Sequence, residues 1–218
     1  RCDSFVYAKL AEIALKGASH ILVDSKAMQK RLQQQFGLKS MLQKNGFDTQ
    51  MARLACQGKQ HRRGIVSIRA IQKYYRIDQL VDQLSYLKSR PKLTFIYPAF
   101  DKPFLELVKK NVSKSDKFLG KLPKHKFYKE LSEALLALSI PENDSSPRSV
   151  YEAIFCGTAV AMTYAPFYAE LPSCMKKRIF LVDIHDEDWL SKAINFAIET
   201  TAESYSPSVE AIEYCDQD

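Results

Sequence analysis

Residues 139–162 read SIPENDSSPRSVYEAIFCGTAVAM, and this stretch decides the fold. The apolar run over 135–140 has the length of a buried strand. The side chains of residues 144–146 (Asp-Ser-Ser) offer oxygens that cap helices, and Pro147 suits the first helical position. Gly157 suits the left-handed turn that ends a helix, and a second apolar run follows it. The stretch therefore predicts a strand, a polar loop, a helix and another strand.

This arrangement indicates a ligand site at the start of the helix. In such a unit the helix begins near the carboxyl end of the sheet, where its free backbone N–H groups attract phosphate. A carboxylate lies in the loop at Asp144 and a second lies on the helix at Glu152. The sequence therefore predicts an anion-binding helix end flanked by two acidic side chains.

The rest of the chain from Gly64 onward continues the same alternation of strands and helices. The patterns predict strands over 65–68, 93–97, 117–119, 135–140 and 179–184, and helices over 78–89, 103–112, 124–133 and 186–202. Strands that alternate with helices of this length form parallel units with right-handed crossovers. We therefore predict an α/β protein with a doubly wound, Rossmann-like parallel sheet.

The pattern of the first 63 residues predicts a separate domain followed by a linker. Helices are expected over 4–16 and 25–36, short strands over 19–23 and 41–43, and a turn over 45–48. The Gln-, Lys- and Arg-rich residues that follow favour a linker. The predicted organisation is therefore a first domain over 1–48, a linker over 49–63 and a second domain over 64–218.

Composition excludes several classes of protein. The chain has 46% hydrophobic and 26% charged residues, which is typical of a folded globular protein. Its longest apolar runs fall far below the ~20 residues that cross a bilayer. Five cysteines without CxxC spacing predict neither a zinc site nor a disulfide framework, and they favour the reducing cytoplasm. The chain begins with Arg1 rather than Met, so we expect a piece of a longer protein.

Charge is distributed unevenly along the chain. Residues 26–92 contain fifteen Lys and Arg against three acids, whereas residues 182–218 contain one base against ten acids. The basic part is compatible with a phosphate-rich ligand, an anionic membrane surface or nucleic acid. Since no RNA-binding or zinc-finger pattern accompanies it, we expect no nucleic-acid partner.

The opening stretch resembles the donor-binding motif of the group 1, family-4 glycosyltransferases, which are retaining enzymes of the GT-B fold. That motif places an acidic residue eight positions before a Glu, which begins a Glu-Ala-x-x-x-Gly-x-x-Val sequence. Asp144 and Glu152 occupy the two acidic positions, and EAIFCGTAV begins at Glu152. The chain departs from the family at Asp144, usually Glu, and at residues 145–148, where SSPR replaces a glycine-rich loop. Glu142 is the alternative first carboxylate.

Two further segments are similar to the same family. Residues 21–25 (ILVDS) and 45–48 (NGFD) resemble the end of the family's first domain, so 1–48 is expected to be the C-terminal remnant of an acceptor-side domain. Residues 64–69 (GIVSIR) resemble the opening strand of the donor domain. In the family an Arg and a Lys after that strand hold the donor pyrophosphate. Arg69 aligns with the Arg, and either Lys73 or Arg76 is a candidate for the Lys.

The resemblance implies a role for each candidate residue. Asp144 would contact the hydroxyls of the donor sugar, and Glu152 would accept hydrogen bonds from the ribose. Lys121 and Leu122 would contact the base through their backbones. The predicted catalytic residues are Asp144, Glu152 and Arg69, and the predicted donor-binding residues are Arg69, Lys73, Lys121, Leu122, Glu142, Asp144, Ser145, Ser146, Ser149 and Glu152.

The expected activity is transfer of a sugar, with retention, from a nucleotide sugar to a saccharide or lipid-linked acceptor. This chain would supply the donor site, bind the nucleotide and transfer little by itself. No cofactor or metal is predicted, and the longer protein is expected in the cytoplasm, with the basic segment favouring its membrane face. An inactive GT-B-fold binding or regulatory module and a sugar-nucleotide epimerase are the alternatives. The sequence contains no Gly-rich NTPase or dinucleotide motif.

Overall fold

A parallel β-sheet forms the centre of the larger of two units. The computed structural model describes residues 2–56, 61–87, 89–202 and 205–216. The chain divides into two compact units, one that ends at Asn45 and one that begins at Gly46. No helix among the described residues is long and apolar enough to cross a membrane.

The described residues of the larger unit form six strands and eight α-helices, joined by two short 3-10 helices. The strands are β3 (Ile65–Ser67), β4 (Leu93–Ile96), β5 (Lys117–Gly120), β6 (Leu136–Ser139), β7 (Ala159–Thr163) and β8 (Ile179–Val182). The helices are α3 (Thr49–Cys56), α4 (Ile77–Ser85), α5 (Lys102–Asn111), α6 (Lys124–Glu133), α7 (Arg148–Phe155), α8 (Ser173–Lys176), α9 (Trp189–Thr201) and α10 (Val209–Cys215). The 3-10 helices cover Lys73–Tyr75 and Pro166–Glu170.

All neighbouring strands of this sheet are parallel, in the order β5-β4-β3-β6-β7-β8. The chain therefore builds outward from β3 to β5 and then returns to place β6 on the other side of β3. Where the strand order reverses, the loops after β3 and β6 diverge and leave a crevice at the carboxyl ends of the strands. The predicted doubly wound sheet is confirmed.

Helices cover both faces of the sheet, and the strand residues alternate between two cores. Val66 and Ala137 lie in the core under α3, α6 and α7, whereas Ile65 and Leu136 lie in the core under α4, α5 and α9. All four side chains are less than 5% exposed. Burial on both faces explains why the strands are short, continuous apolar runs in the sequence.

The smaller unit contains α1 (Cys2–Gly17), β1 (Leu22–Val23), α2 (Lys26–Phe36) and β2 (Met41–Leu42), and β1 pairs with β2 in parallel. Ser25 caps α2 by accepting a hydrogen bond of 3.3 Å from the amide of Met28. Gly37 ends the helix in the left-handed region, with φ of +66°. The predicted bounds of this helix are confirmed.

A helix occupies the first half of the segment 49–63, for which the composition favours a linker. Helix α3 occupies residues 49–56 and packs against α6 and α7. Phe47 and Ala52 are buried in the core there, so apolar burial overrides the polar composition of the segment. Residues 57–60 of the predicted linker lie outside the described residues.

Two arginines hold the end of α7 and the strand that follows it. Arg62 donates to the carbonyl of Cys156 over 2.7 Å and to the hydroxyl of Thr158 over 3.3 Å. Arg178 is 7% exposed and donates to the carbonyl of Gly157. Because the last carbonyls of a helix have no partner inside the helix, these guanidinium groups satisfy acceptors that burial would otherwise leave unpaired.

Substitution of Gly157 tests this packing. Gly157 has φ of +76°, and a Cβ there would lie 2.5 Å from an Arg62 nitrogen and 2.8 Å from the Tyr205 ring. We expect Gly157→Ala to lower the free energy of unfolding by about 3 kcal/mol or more, because strain adds to the clash. Urea denaturation followed by the fluorescence of the buried Trp189 measures the loss.

Gly120 provides the matched control. Its φ is +65°, but a Cβ there meets no atom within 4 Å. Gly120→Ala should therefore lower the free energy of unfolding by only about 1–2 kcal/mol, the cost of a left-handed backbone alone. Equal losses for the two substitutions would contradict the role assigned to Arg62 and Tyr205.

Candidate functional site

Arg69 lies at the point where the strand order reverses. It follows β3, and its Nε donates a hydrogen bond of 2.7 Å to the hydroxyl of Ser139, the last residue of β6. Its Nη2 forms an ion pair with Asp144 in the loop after β6. The guanidinium also lies 5.6 Å from the centre of the Tyr75 ring, within cation–π range. Arg69 thus connects the two strands that border the crevice.

Asp144 is the loop carboxylate of this site. Its side chain is 18% exposed, and that of Arg69 is 13% exposed. Burial raises the pKa of Asp144 above its ordinary value, although Arg69 and the amides of Ser145 and Ser146 oppose the shift. The pair therefore places a fixed positive charge beside a carboxyl group that is reluctant to ionise.

Glu152 lies on α7, on the other side of the crevice, and is 1% exposed. Its Oε1 forms an ion pair with Lys124 at the start of α6 and accepts a hydrogen bond of 3.1 Å from the hydroxyl of Tyr128. Burial and the Glu152 carboxylate raise the pKa of Tyr128 well above its usual value. The phenol therefore keeps its proton and remains a donor to Glu152.

A single cavity of about 260 Å³ joins these side chains at the carboxyl ends of the strands. Its walls contain three cations and one carboxylate, and the remainder is largely apolar or aromatic. The lining residues are Ile68, Arg69, Ala70, Tyr75, Ile96, Tyr97, Pro98, Lys121, Leu122, Lys124, Phe127, Ser149 and Glu152. We call this cavity the switch-point pocket.

The structure brings most of the predicted site residues together. Arg69, Lys121, Leu122, Ser149 and Glu152 line the switch-point pocket. The loop residues before α7 adjoin it, because Asp144 is held by Arg69 and accepts from the next two backbone amides. These assignments rest on position, and the roles of the residues remain predictions.

Three predicted or alternative residues lie elsewhere. Lys73 is exposed and lines a shallow depression with Asp101 and Phe104. Glu142 is exposed, whereas Asp144 is the carboxylate beside Arg69. Arg76 donates to the backbone carbonyls of Ile140 and Pro141, over 3.3 and 2.7 Å. Of the two candidates for the second cation, neither lines the pocket.

The capping predicted for α7 is wrong in detail. Pro147 is the N-cap residue and makes no side-chain cap hydrogen bond, so the helix begins at Arg148. The hydroxyl of Ser146 lies 3.0 Å from the phenol of Tyr151, and Asp144 is held by Arg69. A tertiary contact with Arg69 and a local contact with Tyr151 therefore take oxygens that the sequence pattern assigned to the helix end.

Sequence reasoning missed Lys124 and Tyr128. They are four residues apart on α6, which places them on one helix face, and that spacing could have been noticed. What it does not reveal is that this face meets Glu152 on α7. The pairing depends on the packing of two helices that are distant in the sequence.

A larger cavity of about 480 Å³ lies at the opposite edge of the sheet. Its lining includes residues at or just before the starts of β3, β4 and β5, namely Gly64, Lys92 and Lys117. In open parallel sheets ligands bind outside the carboxyl ends of the strands, not the amino ends. We therefore assign the functional site to the smaller switch-point pocket.

The fold is shared with solved glycosyltransferase structures. The Anabaena protein HepE, in complex with UDP and glucose, superposes with a TM-score of 0.76 at 17% identity, over 96% of this chain and 63% of that one. AviGT4, a glycosyltransferase involved in avilamycin A biosynthesis, superposes with a TM-score of 0.66 at 12% identity, over 90% of this chain and 58% of that one. Sucrose-phosphate synthase from Thermosynechococcus elongatus superposes with a TM-score of 0.66 at 15% identity, over 94% of this chain and 59% of that one.

The α/β fold of this chain, with its parallel sheet of six strands, matches the Rossmann-like half of such GT-B structures. The chain spans about three fifths of the length of these structures. No protein-family model matches the sequence, and no curated protein does.

The burial of Asp144 predicts a specific pH dependence of stability. A carboxyl group whose pKa is raised by folding holds its proton more tightly in the folded state, so its ionisation destabilises the fold as pH rises. The unfolding free energy of the wild type minus that of Asp144→Asn should therefore fall between about pH 3 and pH 6. Denaturation followed by Trp189 fluorescence measures both proteins.

Asp186 is the control with the opposite sign. Lys192 and the amide of Asp188 lower the pKa of Asp186, so its ionisation stabilises the fold. The unfolding free energy of the wild type minus that of Asp186→Asn should therefore rise over the same pH range. A rise for Asp144 as well would mean that attraction to Arg69 outweighs burial.

Proposed function

We propose that this chain supplies the nucleotide-sugar donor site of a retaining GT-B glycosyltransferase. The observation that carries the proposal is the placement of Arg69 and Glu152 on the walls of one pocket at the carboxyl ends of parallel strands. A guanidinium suits a diphosphate, and a carboxylate suits ribose hydroxyls. The likeness to HepE bound to UDP and to UDP-glucose supports the same ligand class.

Arg69 is proposed to bind the diphosphate. Negative charge grows on the diphosphate as the bond to the sugar breaks, and a positive group held in place stabilises that charge. Ser139 and Tyr75 hold the guanidinium in place, and Asp144 balances its charge. A diphosphate would take over the Nη2 contact and release Asp144 towards the donor sugar, the role that the family resemblance implies.

The base is proposed to lie against the apolar wall of the pocket. Ile96, Tyr97, Pro98 and Leu122 come from the ends of β4 and β5, and Lys121 adjoins them. Aromatic and apolar side chains stack on the face of any base. Discrimination among bases would then come from backbone contacts at Lys121 and Leu122.

Transfer itself is proposed for the longer protein. In a GT-B enzyme the acceptor binds on the first domain, and residues 1–48 would be only the end of that domain. The acceptor class proposed is a saccharide or a lipid-linked sugar, and no metal or cofactor is invoked. This chain alone should bind the nucleotide and transfer little.

Calorimetric titration tests the donor site. We expect saturable binding of one nucleotide among UDP, GDP, ADP and CMP. Arg69→Ala and Glu152→Ala should each weaken it roughly tenfold or more, because each removes a charge-assisted contact. The exposed Lys110→Ala on α5 is the control and should change the affinity less than about twofold.

The same titration decides whether Lys73 or Lys121 contributes to nucleotide binding. Lys73→Ala tests the residue predicted from the sequence, which lies outside the pocket, and Lys121→Ala tests a residue that lines it. Binding of none of the four nucleotides, or binding that is indifferent to both Arg69 and Glu152, would contradict the proposed donor site.

A further inference from the structure

Two donors converge on one oxygen of Glu152. The Lys124 ammonium and the Tyr128 hydroxyl both contact Oε1, and among the described residues no hydrogen bond reaches Oε2. A carboxylate oxygen accepts about two hydrogen bonds. The lone pairs of Oε1 are therefore occupied, and those of Oε2 are available.

Oε2 is accessible from the switch-point pocket. The buried side-chain atoms without a partner, among the described residues, are Ser40 Oγ and Arg178 Nε, so Oε2 is not a buried orphan. Glu152 is 1% exposed in total and lines the pocket. The small accessible part of this side chain is thus presented to the pocket, where a ligand hydroxyl could reach it.

The two donors differ in how firmly they are held. Tyr128 is 1% exposed and packs in the core beside Phe127, whereas the side chain of Lys124 is 49% exposed. Lys124 also lies 5.6 Å from the centre of the Tyr128 ring. Tyr128 is therefore a fixed support for the carboxylate. Lys124 is a half-exposed cation beside the pocket, and water can replace its contact with Glu152.

We propose that Tyr128 is a positioning residue that, together with Lys124, fixes Glu152 so that Oε2 alone receives the ribose hydroxyls of the nucleotide. This inference rests on the proposed donor site and adds the residues that orient its carboxylate. Because the support acts through Glu152, its effect on binding should require both the carboxylate and the ribose hydroxyls. A residue that only stabilised the fold would affect all ligands alike.

Calorimetry with UDP and 2′,3′-dideoxy-UDP, or with the same pair of whichever nucleotide the wild type binds, separates these possibilities. Tyr128→Phe removes one oxygen and should weaken UDP binding roughly tenfold, since a hydrogen bond to a charged group is lost. The same substitution should change the affinity for the dideoxy nucleotide by less than about twofold. In the Glu152→Gln background, Tyr128→Phe should change the affinity for either nucleotide by less than about twofold.

Tyr168→Phe is the matched control, because Tyr168 lies in the 3-10 helix Pro166–Glu170 and does not line the pocket. It should leave both affinities unchanged. Should Tyr128→Phe fail to fold, Lys124→Met makes the same comparison from the exposed partner, and UDP must again be weakened more than the dideoxy form.

The outcomes separate this inference from the donor site itself. Tight binding of UDP by the wild type, with equal losses for both nucleotides in the variants or no loss for either, would overturn the positioning role and leave the donor site standing. Failure of the wild type to bind any of UDP, GDP, ADP and CMP would overturn both.

Discussion

The reversal of strand order between β3 and β6 is the constraint on which the rest of the structure depends. It places the end of β3 beside the end of β6 while their following loops diverge, so a crevice opens at the carboxyl edge of the sheet. Arg69 spans that reversal by its contacts with Ser139 and Asp144. A cation so fixed loses little freedom when it binds an anion, which is the physical basis for assigning the diphosphate to this point.

The opposite wall of the pocket depends on α6 and α7. A carboxylate as buried as Glu152 is tolerated only with charged or hydrogen-bonding partners, and Lys124 and Tyr128 supply them from α6. The same two helices are joined at their far ends by Arg62, which donates to carbonyls near the end of α6 and at Cys156. Stability and ligand binding are thus linked through one helix pair, which Arg62 joins at the carboxyl ends and which carries Glu152 one turn before the end of α7.

The parts of this structure that could be predicted from the sequence are those governed by local pattern. Short apolar runs gave the strands, Gly157 marked the end of α7, and the resemblance of residues around Arg69 and Glu152 led to two walls of one pocket. Helix α3 was missed because its burial depends on α6 and α7 rather than on its own composition. Lys124 and Tyr128 were missed for the same reason, since their importance comes from a helix that begins 24 residues after Lys124. Lys73 was favoured by its distance along the chain from Arg69, yet in the 3-10 turn Lys73–Tyr75 it is Tyr75 that lines the pocket, whereas Lys73 lines another depression.

A crystal structure of this chain with UDP tests the central claim most directly. The account predicts density in the switch-point pocket, with the diphosphate at the Arg69 guanidinium, the ribose at Oε2 of Glu152 and the base against Tyr97 and Leu122. UDP bound at the amino edge of the sheet near Lys92 and Lys117, or bound in the pocket with its ribose away from Glu152, would contradict it.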